Sequence, residues 1–332
     1  MSTKFKALQA KFELEKFSLD INEIGFEDLP ENDTLIKVCY SSLNYKDAMA
    51  IDSNKGKILR NFPISPGIDL SGIIEHTNSN IFTKGDEVIV TGWGMGEKFS
   101  GGFSQYARVK SDYIVRKPNN LSLKNSMRLG TAGLTAMLAI IELESLGINN
   151  SLGKILITGA TGGVGSLSLM LLSKMGYDVI ALTGKKDAVH LLKELGAKEI
   201  IHRDEILNMN KPLNSPKWIG AIDTVGGDIL ANLMSATDYG GIIASCGNAA
   251  GNHLPTTVLP FILRKIKLIG IDSVYASLEQ RIEGWERLST LITDNELNKI
   301  STEITLSELK SSAIKMMSGK TIGRIIVNIH NS

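Results

Sequence analysis

Lys154-Ile-Leu-Ile-Thr-Gly-Ala-Thr-Gly-Gly-Val-Gly-Ser166 joins a short β-branched run to a glycine turn, and a helical pattern from Val164 to Met175 follows. A strand, glycine turn and helix in this order suit a dinucleotide pyrophosphate. Gly162 and Gly163 let backbone N–H groups approach a phosphate, and Gly165 lets the helix pack closely on the strand. The helix N-terminus adds roughly half a positive charge facing the anion. Thr161 and Val164 complete the candidate turn. The first position of the usual G-x-G-x-x-G is Ala160 here. Context raises the weight of the pattern, because Gly176 ends the helix and Asp178-Val-Ile-Ala-Leu182 follows as the second strand of a βαβ unit.

The chain has 332 residues, more than the roughly 250 to 300 at which single cores stop growing, so two domains are expected. Its 43% hydrophobic content supplies both cores. A formal net charge of +1, from 36 basic and 35 acidic residues, gives no long-range field to hold nucleic acid or an anionic membrane. Any anionic ligand must be met by local groups. Cys39 and Cys246 are far apart and lack metal-ligand spacing, which fits a reducing compartment. The amino terminus leads into charged sequence rather than a secretory core. The longest uncharged apolar stretch, Leu129 to Ile141, has thirteen residues, against roughly eighteen needed to span a bilayer. A cytoplasmic protein without nucleic-acid or membrane partners is expected.

From Ala7 to about Pro118 the pattern is strand-rich, with runs such as Thr34 to Tyr40, Leu70 to Ile74 and Glu87 to Val90. From about Ser122 helices and strands alternate. A helix is predicted near Ala132 to Leu143, and strands at Ile155 to Thr158, Val179 to Leu182, Glu199 to His202, Ala221 to Thr224, Gly241 to Ser245 and Lys267 to Ile271. Such alternation indicates an α/β fold with a parallel sheet covered on both faces. A helix around Leu278 to Ile292 precedes a strand–helix–strand tail, which is expected to return to the first domain.

Several segments, taken together and in order, resemble a known family: Ser41-Ser-Leu-Asn-Tyr-Lys-Asp-Ala-Met49, Gly56 to Pro63, Pro66-Gly-Ile-Asp69, Gly101 to Ala107, Gly130 to Ala136, Gly162-Gly-Val-Gly165 and Pro260 to Arg264. From Ala7 to Ile329 the chain is similar to zinc-free members of the medium-chain dehydrogenase/reductase superfamily, above all the acrylyl-CoA reductase and NADPH:quinone oxidoreductase group. The resemblance implies a GroES-like catalytic domain (1–121 and 298–332) and a Rossmann, doubly wound cofactor domain (122–297), with substrate in the cleft between them. It also implies a homodimer joined through the sheet edge near Lys267 to Ser273. Asn248 and Ile262 would border the nicotinamide, and Ser273 would reach it from the last strand.

The second strand bears on cofactor choice. NAD-specific sites offer Asp or Glu about twenty residues beyond the glycine turn. Here that place reads Thr183-Gly184-Lys185-Lys186. A hydroxyl, a small residue and ammonium groups suit a 2′-phosphate, which favours NADPH. Arg203, past the third strand, is placed to add a planar fork to the same phosphate.

Zinc-dependent relatives carry Cys and His at the positions of Asn44 and Ile68 in this chain. His76, His190, His202, His253 and His330 show no ligand spacing, and no metal site is expected. Without a Lewis acid, reduction of an activated C=C bond is easier than reduction of a simple carbonyl. The expected reaction is acryloyl-CoA to propanoyl-CoA. Quinone reduction is the alternative, and a non-catalytic NADPH-binding protein is the third possibility. Tyr45 and Asn44 are the candidate catalytic residues, as donors to a developing oxyanion. Asp47 is expected to cap a helix starting near Ala48. Lys55, Lys57 and Arg60 form a basic cluster suited to the phosphates of an acyl-CoA, Lys57 and Arg60 being the substrate candidates.

Overall fold

The computed structural model describes residues 4–209 and 211–330. The chain forms two compact units, one of residues 132–272 and one of residues 1–131 together with 273–332.

The N-terminal hairpin β1 (Lys4–Glu13) and β2 (Lys16–Gly25) is followed by β3 (Thr34–Leu43), α1 (Tyr45–Ile51), β4 (Asp69–Thr77), β5 (Glu87–Thr91), β6 (Tyr106–Val109), β7 (Val115–Arg116) and α2 (Leu123–Ser145). The alternating segment holds β8 (Ile155–Ile157), α3 (Gly163–Lys174), β9 (Val179–Thr183), α4 (Val189–Glu194), β10 (Glu199–His202), α5 (Arg203–Leu207), β11 (Trp218–Asp223), α6 (Gly227–Ser235), β12 (Thr237–Ser245), α7 (Leu259–Arg264) and β13 (Lys267–Gly270). The returning tail is α8 (Leu278–Leu291), α9 (Asp294–Ile300), β14 (Ser301–Thr305), α10 (Leu309–Met317) and β15 (Arg324–Asn328).

In the second unit six parallel strands lie in the order β10-β9-β8-β11-β12-β13. The sequence order reverses between β8 and β11, the switch point where doubly wound sheets bind ligands. Both faces are covered, which is why Ile155 to Ile157 and Val179 to Thr183 are buried without alternation. Predicted strand boundaries agree within one or two residues, except that β11 and β12 begin earlier, at Trp218 and Thr237.

In the first unit the sheet order is β14-β15-β3-β4-β5-β7, with β6 paired to β3. The strand–helix–strand tail lies here, β15 pairing antiparallel with β3. The units divide after Thr131 and before Ser273, later and earlier than the expected 121 and 298. Arg281 of α8 supplies a physical reason. It is 1% exposed and donates to the carbonyls of Thr91, Ser273, Val274 and Ala276, with its guanidinium 4.6 Å from the Trp93 ring centroid. Those bonds hold α8 in the β-rich unit.

Helix α2 is two helical segments meeting at Gly130, where the backbone turns to φ 54°, ψ −156°; the segment after the kink begins beside the predicted Ala132, and a further helical segment from Leu123 precedes it. It is long and apolar enough by composition to cross a bilayer, unlike the thirteen-residue stretch read from sequence, but 83% of its most apolar window is buried inside the protein. Burial of that kind marks a core helix.

Candidate functional site

The glycine turn sits at the C-terminal end of β8. Gly159 adopts φ +57°, and a Cβ there would meet Thr224 Oγ1 at 2.5 Å. Gly165 also needs to be glycine, since a Cβ would collide with the Gly159 carbonyl and Ala160; the close approach is to the turn that follows β8. Gly162, however, does not present its amide to a ligand. It is the N-cap of α3, and its N–H donates to Gly159 O at 2.8 Å. The first bond into the helix runs from Ser166 N to Gly162 O. The open amides are therefore those of Gly163, Val164 and Gly165, the first turn of a twelve-residue helix. They fit a pyrophosphate at a helix N-terminus. Thr161 lies beneath them, buried.

Thr183 pairs with His202 across β9 and β10, which brings Arg203 to Gly184. An ideal Cβ on Gly184 would lie 2.7 Å from Arg203 Nε, so the guanidinium occupies the space a side chain would need. Thr183 is buried and its Oγ1 accepts from Lys185 N at 3.0 Å. Lys185 is half-buried, and burial pushes its ammonium below the usual range; a neighbouring anion favours the charged form. Thr183, Gly184, Lys185 and Arg203 thus form one local group with the character a 2′-phosphate requires. Lys186 is exposed beside them.

Asp223, at the end of β11, escaped the sequence reading. It is fully buried and accepts from Thr158 Oγ1 at 2.7 Å, Gly226 N at 3.0 Å and Ser245 Oγ at 3.2 Å. Burial raises its carboxyl and those hydrogen bonds oppose the rise. One carboxylate therefore ties together the C-terminal ends of β8, β11 and β12. The only local signal was an Asp ahead of Val225-Gly226-Gly227. Asn248 follows in the exposed loop after β12, and Ile262 is 67% exposed on α7 beside exposed Val258 and Leu263. Ser273 lies just beyond β13, and its carbonyl accepts from Arg281 at 3.0 Å. Cys246 is a poor nucleophile, since burial and then Asp223 push its thiol up to about 12.

In the β-rich unit α1 begins at Tyr45 with Asn44 as N-cap, one turn earlier than the expected start near Ala48. Asp47 still caps, from the third helical position: its Oδ2 accepts from Asn44 N at 2.9 Å, and its Oδ1 accepts from Ile68 N at 3.0 Å. Beneath it lies a buried polar cluster. Asp69 accepts from Ser42 Oγ at 2.5 Å, Asn44 Nδ2 at 2.8 Å, Thr131 N at 2.9 Å and Thr131 Oγ1 at 2.5 Å. Arg324 of β15, 3% exposed, donates to Asn44 Oδ1 at 3.1 Å, Ser42 Oγ at 2.9 Å and the Arg128 carbonyl at 3.0 Å. A Cβ on Gly130 would sit 2.5 Å from Asp69 Oδ2 and 2.7 Å from Arg324. The Arg324 guanidinium lies 4.0 Å from the Asp69 carboxylate and feels the charge of Asp47 as well, and the Asp47 carboxyl is pushed up to about 7, first by burial and then by the charge of Asp69.

This cluster alters the expectation for Asn44. Its amide hydrogens go to Asp69, Asp47 and Ser42, and its oxygen accepts from Arg324, so no donor remains for an oxyanion. Tyr45 is different: it is 44% exposed at the start of α1, and its hydroxyl makes no hydrogen bond among the described residues. Lys55 is paired with Asp52 at 2.7 Å, while Lys57 and Arg60 are exposed on the segment after α1.

A β-rich unit of this topology joined to a doubly wound unit defines a medium-chain dehydrogenase/reductase. Residues 30–119 match the family described as alcohol dehydrogenase GroES-like domain, and residues 163–291 match zinc-binding dehydrogenase. The chain belongs to the medium-chain dehydrogenase/reductase superfamily, in the group that contains the following three relatives. It is 44% identical to the putative quinone oxidoreductase YhfP of Bacillus subtilis, covering 99% of this chain and all of the relative; a YhfP crystal structure with NAD bound matches with a TM-score of 0.95 at 43% identity, covering 99% of this chain and 100% of that one. It is 45% identical to the probable acrylyl-CoA reductase AcuI of Escherichia coli over 91% of this chain and 93% of the relative. The yhdH oxidoreductase of Salmonella enterica, crystallised with NADP, matches with a TM-score of 0.95 at 43% identity, covering 98% of this chain and 99% of that one.

The zinc in the name of the second family finds no fit here. Asn44 is fully engaged, Ile68 is an apolar residue 3% exposed, and among the described residues no three His, Cys, Asp or Glu side chains gather to hold an ion. A nicotinamide dinucleotide does fit, on the amides of Gly163 to Gly165 and the group around Gly184.

Proposed function

We propose that this chain is an NADPH-dependent oxidoreductase that reduces an activated C=C bond, with acryloyl-CoA to propanoyl-CoA as the leading reaction. The observation that carries the cofactor assignment is Arg203, at the start of α5, lying against Gly184, just past β9, the neighbour of the strand that leads into the glycine turn. The AcuI relative, at 45% identity, supports the substrate class. NADPH, when bound, supplies a hydride equivalent to the electron-poor β-carbon. The amides of Gly163, Val164 and Gly165 hold the pyrophosphate, and Arg203, Lys185 and Thr183 surround the 2′-phosphate. We assign Tyr45 as the donor to the substrate carbonyl oxygen, where negative charge accumulates; one such donor is typically worth about 10² to 10³ in rate. Water protonates the α-carbon. Asn44 positions Tyr45 as the helix cap and does not itself donate. Lys57 and Arg60, exposed and without ion pairs among the described residues, are the groups we assign to the phosphates of the thioester. Separated thiols and the charge balance support a cytoplasmic setting, and the exposed apolar residues of α7 next to the edge strand β13 support a homodimer.

Quinone reduction with the same cofactor is the second reading, favoured by the YhfP relative. The two separate with cofactor deuterated at the transferable position of the nicotinamide. Alkene reduction places deuterium on the β-carbon of propanoyl-CoA. Consumption of cofactor without label in that product, or only in the presence of benzoquinone, contradicts the leading reading. A chain that binds NADPH but turns over neither substrate is the non-catalytic protein.

A further inference from the structure

The β-rich unit carries a second concentration of basic and aromatic side chains on β6, β3 and β4. Leu35 pairs with Arg108 on one side and His76 on the other, and Lys37 pairs with Tyr106. Directly paired residues, and residues two apart on one strand, project from the same face, so Arg108, Tyr106, Lys37 and His76 share a surface. It forms part of a cleft of about 790 Å³, within the roughly 300 to 1,000 Å³ of small-molecule sites.

One wall is an aromatic triad. The Phe5 and Phe26 rings are 5.0 Å apart, Phe5 and Tyr106 5.2 Å, and Phe26 and Tyr106 5.0 Å, with Phe26 and Tyr106 partly exposed. The charged lining is Lys4, Lys37, Lys84 and Arg108 against a single carboxylate, Glu75, and Lys84 already holds that carboxylate at 2.6 Å. Arg108 is half-buried, and neither its guanidinium nor the Lys37 ammonium has a hydrogen-bond partner among the described residues; the hydrogen bond from Lys84, and then the charges of Lys84 and Lys37, hold the Glu75 carboxyl below the usual range. On a chain whose formal net charge is only +1, this is a local surplus of cations beside an aromatic wall.

We propose that this face is a binding site for a nucleoside phosphate, the phosphate held by Arg108 and Lys37 and the base resting against Tyr106 and Phe26. Arg108 and Lys37 are diagonal neighbours across β6 and β3, roughly 7 to 8 Å apart at their backbones, and long side chains at that spacing converge on one anion. Guanidinium offers a planar two-bond fork to phosphate, ammonium a mobile point charge. Aromatic faces accept any base, so the site recognises phosphate plus ring rather than one nucleotide. It stands apart from the oxidoreductase reading, because every residue in it belongs to the β-rich unit and none has a part in hydride transfer.

The test uses the full chain saturated with NADP⁺, so that the glycine-turn site is filled, titrated calorimetrically with ADP, inorganic phosphate and adenosine. One further equivalent of ADP is expected to bind, with phosphate alone and adenosine alone each weaker by about tenfold or more. Lys37→Gln and Arg108→Gln should each weaken ADP about tenfold to a hundredfold, with thermal midpoints and NADPH affinity unchanged. No uptake of ADP by the saturated protein overturns the proposal. So does equal affinity for phosphate alone, or ADP binding that both variants retain.

Discussion

In the doubly wound unit the proposed pyrophosphate contacts are the main-chain amides of three consecutive residues, Gly163 to Gly165. In the β-rich unit the buried cluster gathers side chains from segments as far apart as Ser42, Asp69, Thr131 and Arg324. The difference teaches where each unit is fragile. A main-chain site depends on the absence of side chains and on supports such as Asp223, and it survives many substitutions around it. A buried side-chain cluster has two carboxylates and one guanidinium to reconcile, and removing the guanidinium leaves both carboxylates uncompensated.

The largest effect should follow from breaking the shared cation. Arg324→Met leaves Asp69 and Asp47 uncompensated, and urea unfolding should show a loss of about 3 to 5 kcal/mol; a loss within about 0.5 kcal/mol, the size of a surface substitution, removes the cluster as a structural element. The counterpart in the other unit is milder. Asp223→Ala orphans the amides of Val225 and Gly226 and the hydroxyls of Thr158 and Ser245, and a loss of about 1.5 to 3 kcal/mol is expected, accompanied by weaker binding of both nicotinamide cofactors, as read by fluorescence titration. Cofactor loss without stability loss would make Asp223 a direct contact instead of a support.

Arg203→Gln tests the 2′-phosphate group alone. NADPH affinity should fall about tenfold to a hundredfold and NADH affinity should hardly change; equal losses would separate Arg203 from the phosphate. The remaining test concerns pH, where the size of the effect is set by how far the pH is moved. The carboxyl of Asp47 ionises near 3.8 in the unfolded chain and near 7 in the fold. Between those values the folded state keeps a proton the unfolded state has released, so rising pH erodes stability by at most about 1.4 kcal/mol per pH unit. The full cost is present above about 7 and absent below about 3.8. Asp47→Asn removes that slope, so the variant should gain on the native chain as pH rises through the window. A constant difference would mean that Asp47 is ionised throughout.

How much was readable follows the same division. The βαβ rhythm is written in runs such as Val179 to Thr183, whose burial on both faces demands continuous apolar residues, and the cofactor end at Thr183 to Lys185 is contiguous in sequence. Asp223 was missed because its side-chain partners are 65 and 22 residues away. Arg324 was missed because nothing local separates a buried arginine from a surface one. The Asn44 expectation fell on the same ground: its residue type suits a donor, but burial decides what the amide faces. Likewise the helix at Leu278 reads correctly as a helix, while the unit it joins depends on Arg281 reaching Thr91, 190 residues away.

Initial rates of NADPH oxidation by the purified chain, with acryloyl-CoA and with 1,4-benzoquinone, test the central claim most directly. Stoichiometric formation of propanoyl-CoA is expected, with kcat/KM for acryloyl-CoA at least about tenfold above that for the quinone, equivalent to about 1.4 kcal/mol at the transition state. Turnover of the quinone alone, or of neither, would contradict it.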